Sequence, residues 1–180
     1  MPILRRKARV SALAAFVLSM APSAHAQSIE APNFIAIGPN LATSGQPTEK
    51  ALATLGAQGF QAVIYLAPST VPNAVKEEPD LLAKQGIEFI QIPIPFGAPD
   101  ESHLETLFAA LNRLQERKVL VHCEINMRAS SLVFLYRVIG LKEAPPAAYD
   151  AVARVWSPRG PWRRIIVEQL AKNHISFEPY

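Results

Sequence analysis

One cysteine, Cys123, stands where the apolar run Val119 to His122 gives way within a few residues to a second apolar run with helical spacing, Leu132 to Tyr136. The pattern reads as a buried strand, a short turn and a helix. Such a turn aims several backbone N–H groups and the positive end of a helix dipole at one small volume, which suits an anion. The same field favours thiolate over thiol. Cys123 is therefore expected to have a lowered pKa and to act as a nucleophile near neutral pH. A buried inert thiol and an intermolecular disulfide are its alternatives, and the strand-to-helix position, where sheets of this type present ligands, argues for reactivity.

His122-Cys123, a short loop, Arg128 and Ser130 together resemble the signature of the cysteine-dependent protein tyrosine and dual-specificity phosphatases. Two further stretches, Ser44-Gly45-Gln46-Pro47 and Ile92-Pro93-Ile94-Pro95, resemble the bacterial phosphatase-like domain of beta-lactamase-hydrolase-like proteins. The likeness runs from about Asn33 to about Gly140. The family loop holds one residue more than Glu124-Ile125-Asn126-Met127 supplies. Either the loop is one residue short and Arg128 does the work of the family arginine, or the loop keeps its length and Ala129 takes that position. Asn126 stands mid-loop where the family often has glycine, and Asn tolerates a left-handed backbone best among the other residues.

The resemblance implies roles. Cys123 would attack phosphorus, while the N–H groups of Glu124, Ile125, Asn126 and Met127 and the planar donor fork of Arg128 would hold the phosphoryl oxygens. Arg128 on a helix's first turn is otherwise slightly unfavourable. His122 is expected to orient its neighbours rather than to react. Ser130 or Ser131 would donate to the thiolate or bond the local backbone. Glu124 is unwelcome to a phosphate dianion unless it points outward. A leaving-group acid is also needed, and the family often has Asp after its Ile-Pro strand. Here Pro95-Phe96-Gly97-Ala98 delays the first carboxylate to Asp100, which is the candidate acid and equally a helix N-cap.

The elements around this turn alternate. Asn33 to Ile37 and Leu41 to Ser44 pair as a hairpin, and Thr48 caps a helix that Gly59 ends. Phe60 to Leu66 is a strand, followed by a loop in which Pro68, Ser69 and Thr70 are rim candidates. A helix from about Pro79 to Gln85 stops at Gly86, Ile87 to Ile94 is a strand, and a long helix runs from Asp100 to about Arg117. Beyond Gly140 come helices from Pro145 to Trp156 and from Trp162 to Lys172. The fold class is α/β, with a mainly parallel central sheet flanked by helices in a phosphatase-like three-layer sandwich.

Arg5, Arg6, Lys7 and Arg9, the apolar run Val10 to Met20 and Ala24-His25-Ala26 read as a cleavable signal peptide over 1–26, with one domain over 27–180. The apolar run is too short to span a bilayer, so no integral membrane segment is expected after leader cleavage. Of 18 basic and 15 acidic residues, four basic and no acidic ones lie in the leader, so the remainder carries 14 − 15 = −1 with His neutral. A basic nucleic-acid binder is disfavoured. No metal site is expected, because His103, His122 and His174 lack ligand spacing, and no cofactor fingerprint is present.

The leading expectation is a periplasmic or secreted phosphatase-like hydrolase acting on a phosphorylated small molecule or protein through a phosphocysteine. The rivals are a rhodanese-like sulfurtransferase with a Cys123 persulfide, whose loops are often one residue shorter, and an anion-binding or partner-binding relative without turnover.

Overall fold

The computed structural model describes residues 29–180; the expected signal peptide lies outside them. Five strands form one sheet in the order β1-β2-β5-β3-β4: β1 Ile35–Ala36, β2 Leu41–Ser44, β3 Ala62–Tyr65, β4 Glu88–Gln91 and β5 Val119–His122. Only β1 is antiparallel, joined to β2 by the Gly38-Pro39-Asn40 turn; the other neighbours run parallel. The central strands β3 and β5 are buried along their whole length, as the unbroken apolar character of both segments requires.

Helices cover both faces. On one side lie α1 Glu49–Leu52 and α2 Glu78–Ala83, and on the other α3 Glu101–Arg113, α4 Met127–Leu135, α5 Pro145–Ala153 and α6 Gly160–Lys172. Strand alternation divides β5 between them: Val119, Val121 and Cys123 join the core of α3 to α6, whereas Leu120 joins that of α1 and α2. His122 therefore faces away from Cys123, towards α2.

Helix starts follow the caps. Thr48 accepts a hydrogen bond from the N–H of Ala51, and Asp100 closes a reciprocal capping box with His103. Several elements are shorter than expected: β1 and β3 are trimmed at both ends, α3 stops at Arg113 and α5 at Ala153. The first helix ends at Leu52 and reaches Gly59 only through a 3-10 turn at Gly56–Gln58, and β4 stops at Gln91 before Pro93. The segment after β4 still pairs with the end of β3, because Ile92 N–H donates to Tyr65 and Ile94 N–H to Leu66. No helix among the described residues is long and apolar enough to cross a membrane.

Register fixes where the chemistry gathers. Ser44, His122, Tyr65 and Gln91 lie side by side across four parallel strands. The segments after them, carrying Gly45-Gln46, Cys123, the loop beyond Leu66, and Ile92-Pro93-Ile94-Pro95, therefore emerge along one edge of the sheet, where α/β proteins bind ligands.

Candidate active site

The loop Glu124–Asn126 leaves β5 and enters α4 through Asn126, whose backbone is left-handed at φ 73° and ψ 0°. A left-handed Asn is what the missing glycine demands, and tertiary contacts hold it there. The Asn126 side chain is buried and donates to the carbonyl of Asn33 (2.6 Å) and to Oγ1 of Thr43 (3.1 Å).

The outer side of the loop is pinned at its carbonyls. The carbonyl oxygen of Glu124 accepts from the N–H of Gln46 (3.1 Å) and from Nδ2 of Asn73 (3.1 Å), and that of Ile125 accepts from Nδ2 of Asn33 (2.9 Å). A trans peptide carries its N–H opposite its C=O. The N–H group of Ile125 is thereby turned to the loop's inner side, while an antiparallel bridge between Gly45 and Ile125 directs the N–H of Asn126 to the carbonyl of Ser44. The N–H groups of Glu124, Ile125, Met127 and Arg128 have no hydrogen-bond acceptor among the described residues. Gly45 allows this approach: a Cβ there would lie 2.9 Å from the carbonyl oxygen of Glu124, 2.9 Å from Cα of Ile125 and 2.8 Å from Cβ of Pro32.

Cys123 is fully buried at the base of this loop, its N–H bonded to the carbonyl of Ser44 (3.2 Å). Arg128 is also buried. Its Nε donates to the carbonyl of Ile94 (3.0 Å), its guanidinium carbon lies 5.0 Å from the ring centre of Phe96, and Nη1 stands 3.5 Å from Oε2 of Glu124. Arg128 thus lies beside the loop, against the side chain of Glu124, whereas Ala129 is a packed core residue of α4.

Behind the loop lies a buried polar chain. Nε2 of His122 meets Oε1 of Glu78 at 2.7 Å, and the other oxygen of Glu78 accepts from Nε2 of Gln46 at 2.8 Å. Nδ1 of His122 and Oε1 of Gln46 have no partner among the described residues. Tyr65 stacks on His122 with ring centres 4.7 Å apart, and its phenol is pushed up to about 12, first by burial and then by the negative charge of Glu78.

The remaining sequence candidates are placed as follows. Ser130 Oγ donates to the carbonyl of Met127 (3.4 Å), the local backbone bond that was its alternative, and Ser131 Oγ is buried without a partner among the described residues. Glu124 does not point freely outward but turns to Arg128. Asp100 accepts from Oγ of Ser102 (2.7 Å) and from the N–H of His103 (3.1 Å). These bonds hold its carboxyl below the usual range, the direction opposite to what a proton donor needs.

Sequence reasoning missed Glu78, Asn33, Asn73 and Tyr65. Glu78 reads as one of several surface acids in Lys76-Glu77-Glu78-Pro79-Asp80, and only tertiary placement buries it. An apolar cleft of about 260 Å3 lies between Asn40, Leu41, Leu114, Val119 and Tyr136, at the opposite end of the strands from Cys123.

Comparison with known proteins places the fold in a family. Residues 26–155 match the family model described as DSP-PTPase phosphatase fused to NAD+ kinase. The structure is similar to that of a DUF442 phosphatase-class protein from Shewanella putrefaciens CN-32, with a TM-score of 0.72, 28% identity, and coverage of 79% of this chain and 94% of that one. It shares its fold with the core catalytic domain of a PP-IP phosphatase from S. cerevisiae (TM-score 0.63, 17% identity, 85% and 100% coverage). It also shares it with P. aeruginosa TpbA in complex with pTyr (TM-score 0.55, 18% identity, 67% and 71% coverage). A search of curated proteins finds no significant match.

Proposed function

The chain belongs to the family of DSP-PTPase phosphatases described as fused to NAD+ kinase, and from that premise we propose that it hydrolyses phosphomonoesters with Cys123 as nucleophile. The observation that carries the reading is the pinning of the Glu124 and Ile125 carbonyls at the start of α4, with the N–H groups of Glu124, Ile125, Met127 and Arg128 left without an acceptor among the described residues.

In the first step the sulfur of Cys123 attacks phosphorus; the P–S bond forms as the P–O bond to the leaving group breaks, and the leaving oxygen takes a proton from solvent water. In the second, water attacks phosphorus, the P–S bond breaks and phosphate leaves with the thiolate restored. The loop N–H groups and Arg128 bind the three equatorial oxygens as charge spreads over them, the preorganised stabilisation that usually supplies the largest share of the acceleration. Arg128 needs little reorganisation, because the carbonyl of Ile94 and the ring of Phe96 already hold it.

The substrate is a phosphorylated small molecule or protein of the tyrosine or dual-specificity type, met outside the cytoplasm once the leader over 1–26 has been removed. The family match favours phosphoryl transfer over sulfur transfer.

The test uses the purified chain without its leader. It should release phosphate from an activated aryl phosphate, and Cys123→Ser should abolish release while keeping the circular-dichroism spectrum. Arg128→Ala should lower the rate on the order of 100- to 1,000-fold. Sulfur transfer from thiosulfate to cyanide, with no phosphate release, would overturn the assignment.

A further inference from the structure

The side chain that follows the nucleophile occupies an unexpected place. Glu124 is 35% exposed, and its carboxylate lies at the loop mouth 3.5 Å from Nη1 of Arg128, whose side chain is only 4% exposed. Nε of Arg128 is taken by Ile94 and one face of the guanidinium by Phe96. The donors nearest Glu124 are thus among those a phosphoryl group would need. Cys123 beneath them has no exposed surface.

From this arrangement we infer that Glu124 is a specificity-determining residue: its carboxylate stands in for the substrate's oxyanion on Arg128, is displaced when the phosphoryl group enters, and biases the site towards singly charged phosphoryl groups over doubly charged ones. The inference rests on the phosphoryl-binding reading of the loop.

The local charge supports it. Glu124 meets Arg128 of α4, the Tyr65 phenol of β3 feels the charges of Glu78, Cys123, Arg128 and Glu124, and Glu78 of α2 pairs with His122 of β5. Glu78, Cys123 and Glu124 all raise the Tyr65 phenol, and only Arg128 opposes them. An entering anion meets one buried cation already matched by a carboxylate. A like-charge contact at a partly exposed position is worth about threefold in affinity per unit charge, so a dianion is penalised about tenfold and a monoanion about threefold.

The probe is inorganic phosphate, and the protein is the Cys123→Ser chain with and without Glu124→Gln. Binding is read as the rise in thermal midpoint with phosphate concentration at about pH 5, where phosphate carries one charge, and about pH 8, where it carries mostly two. Glu124→Gln is isosteric, and the bonds from Gln46 and Asn73 go to the backbone carbonyl of residue 124, so the loop keeps its anchors. The expected result is a gain of about tenfold in phosphate affinity at the higher pH and about threefold at the lower.

Equal gains at both pH values, no gain, or no binding by either protein would overturn the inference. Turnover separates the two proposals. A wild-type chain that releases no phosphate from esters, with the pH-dependent contrast intact, sinks the hydrolase reading alone. Normal turnover without the contrast sinks this one alone.

Discussion

Oε1 of Glu78 lies 2.7 Å from Nε2 of His122, and both side chains are buried, at 2% and 0% exposure. The contact joins α2 to the last residue of β5, immediately before the nucleophile, and Gln46 extends it to the loop after β2. Three of the segments that meet at the sheet edge are thus tied together through one carboxylate. Because His122 faces α2 while Cys123 faces α4, the tie acts on the loop from behind without occupying its interior.

Breaking that tie leaves a buried imidazole and a buried amide without their partner. Glu78→Ala is expected to destabilise the fold by about 2–6 kcal/mol, because it leaves two buried polar groups unsatisfied at about 1–3 kcal/mol each. Glu78→Gln keeps the volume and one acceptor oxygen and should cost less, about 1–3 kcal/mol. Urea denaturation followed by tryptophan fluorescence measures both. A loss below about 1 kcal/mol for the alanine variant would mean that the network contributes little to stability.

Asn126 separates backbone strain from side-chain bonding. At φ 73°, alanine pays about 1–2 kcal/mol for the left-handed conformation and also forfeits the bonds to Asn33 and Thr43. Glycine escapes the first cost and incurs only the second. The expected order of thermal midpoints is wild type, then Asn126→Gly, then Asn126→Ala, with phosphate binding falling in the same order as the loop N–H groups lose their aim. Glycine below alanine would show that the left-handed geometry is not what the position requires.

The sheet was readable from sequence because its strands are short apolar runs punctuated by Gly, Pro and Asn, and because Thr48 and Asp100 carry their capping function locally. That Cys123 and Arg128 flank one strand-to-helix turn was readable for a similar reason, since a chemically distinctive residue pair marks it. Glu78 was not, since its neighbours Glu77 and Asp80 have the same side-chain chemistry and remain exposed. Asn33 and Asn73 reach the loop from 92 and 51 residues away, distances at which no spacing rule operates. The short ends of α1 and β4 reflect competition within the chain: Gly56 and Gly59 favour a turn over a continued helix, and Pro93 cannot donate to the ladder.

Glu88, at the start of β4, receives Arg113 at 2.5 Å and Arg117 at 2.8 Å, and the hydrogen bond from Arg113 is the main reason its carboxyl is held below the ordinary value of 4.5. A carboxyl lowered in the folded state stabilises that state above its unfolded value and loses the contribution as pH falls through the folded one. The groups are partly exposed, so the contribution is under about 1 kcal/mol. Glu88→Gln should therefore lower stability slightly at neutral pH, and the difference from wild type should close as the pH is taken below 4.5. Denaturant midpoints across that range check it; a gap that persists undiminished in acid would assign the effect to packing.

Asp100 caps α3, and its carboxyl is held low by Oγ of Ser102 first and the N–H of His103 second. An ionised cap residue has no proton to give a leaving group. Asn is as good an N-cap as Asp but cannot serve as an acid, so Asp100→Asn isolates the two roles. The expected outcome is turnover within about threefold of wild type for both an activated aryl phosphate, which needs little protonation, and an alkyl phosphate, which needs much. Asp100→Ala should lower the thermal midpoint by removing the cap, without changing the ratio of the two rates. A loss of about 100-fold or more in Asp100→Asn, confined to the alkyl ester, would instead make Asp100 the proton donor and require the start of α3 to move towards Cys123 during the reaction.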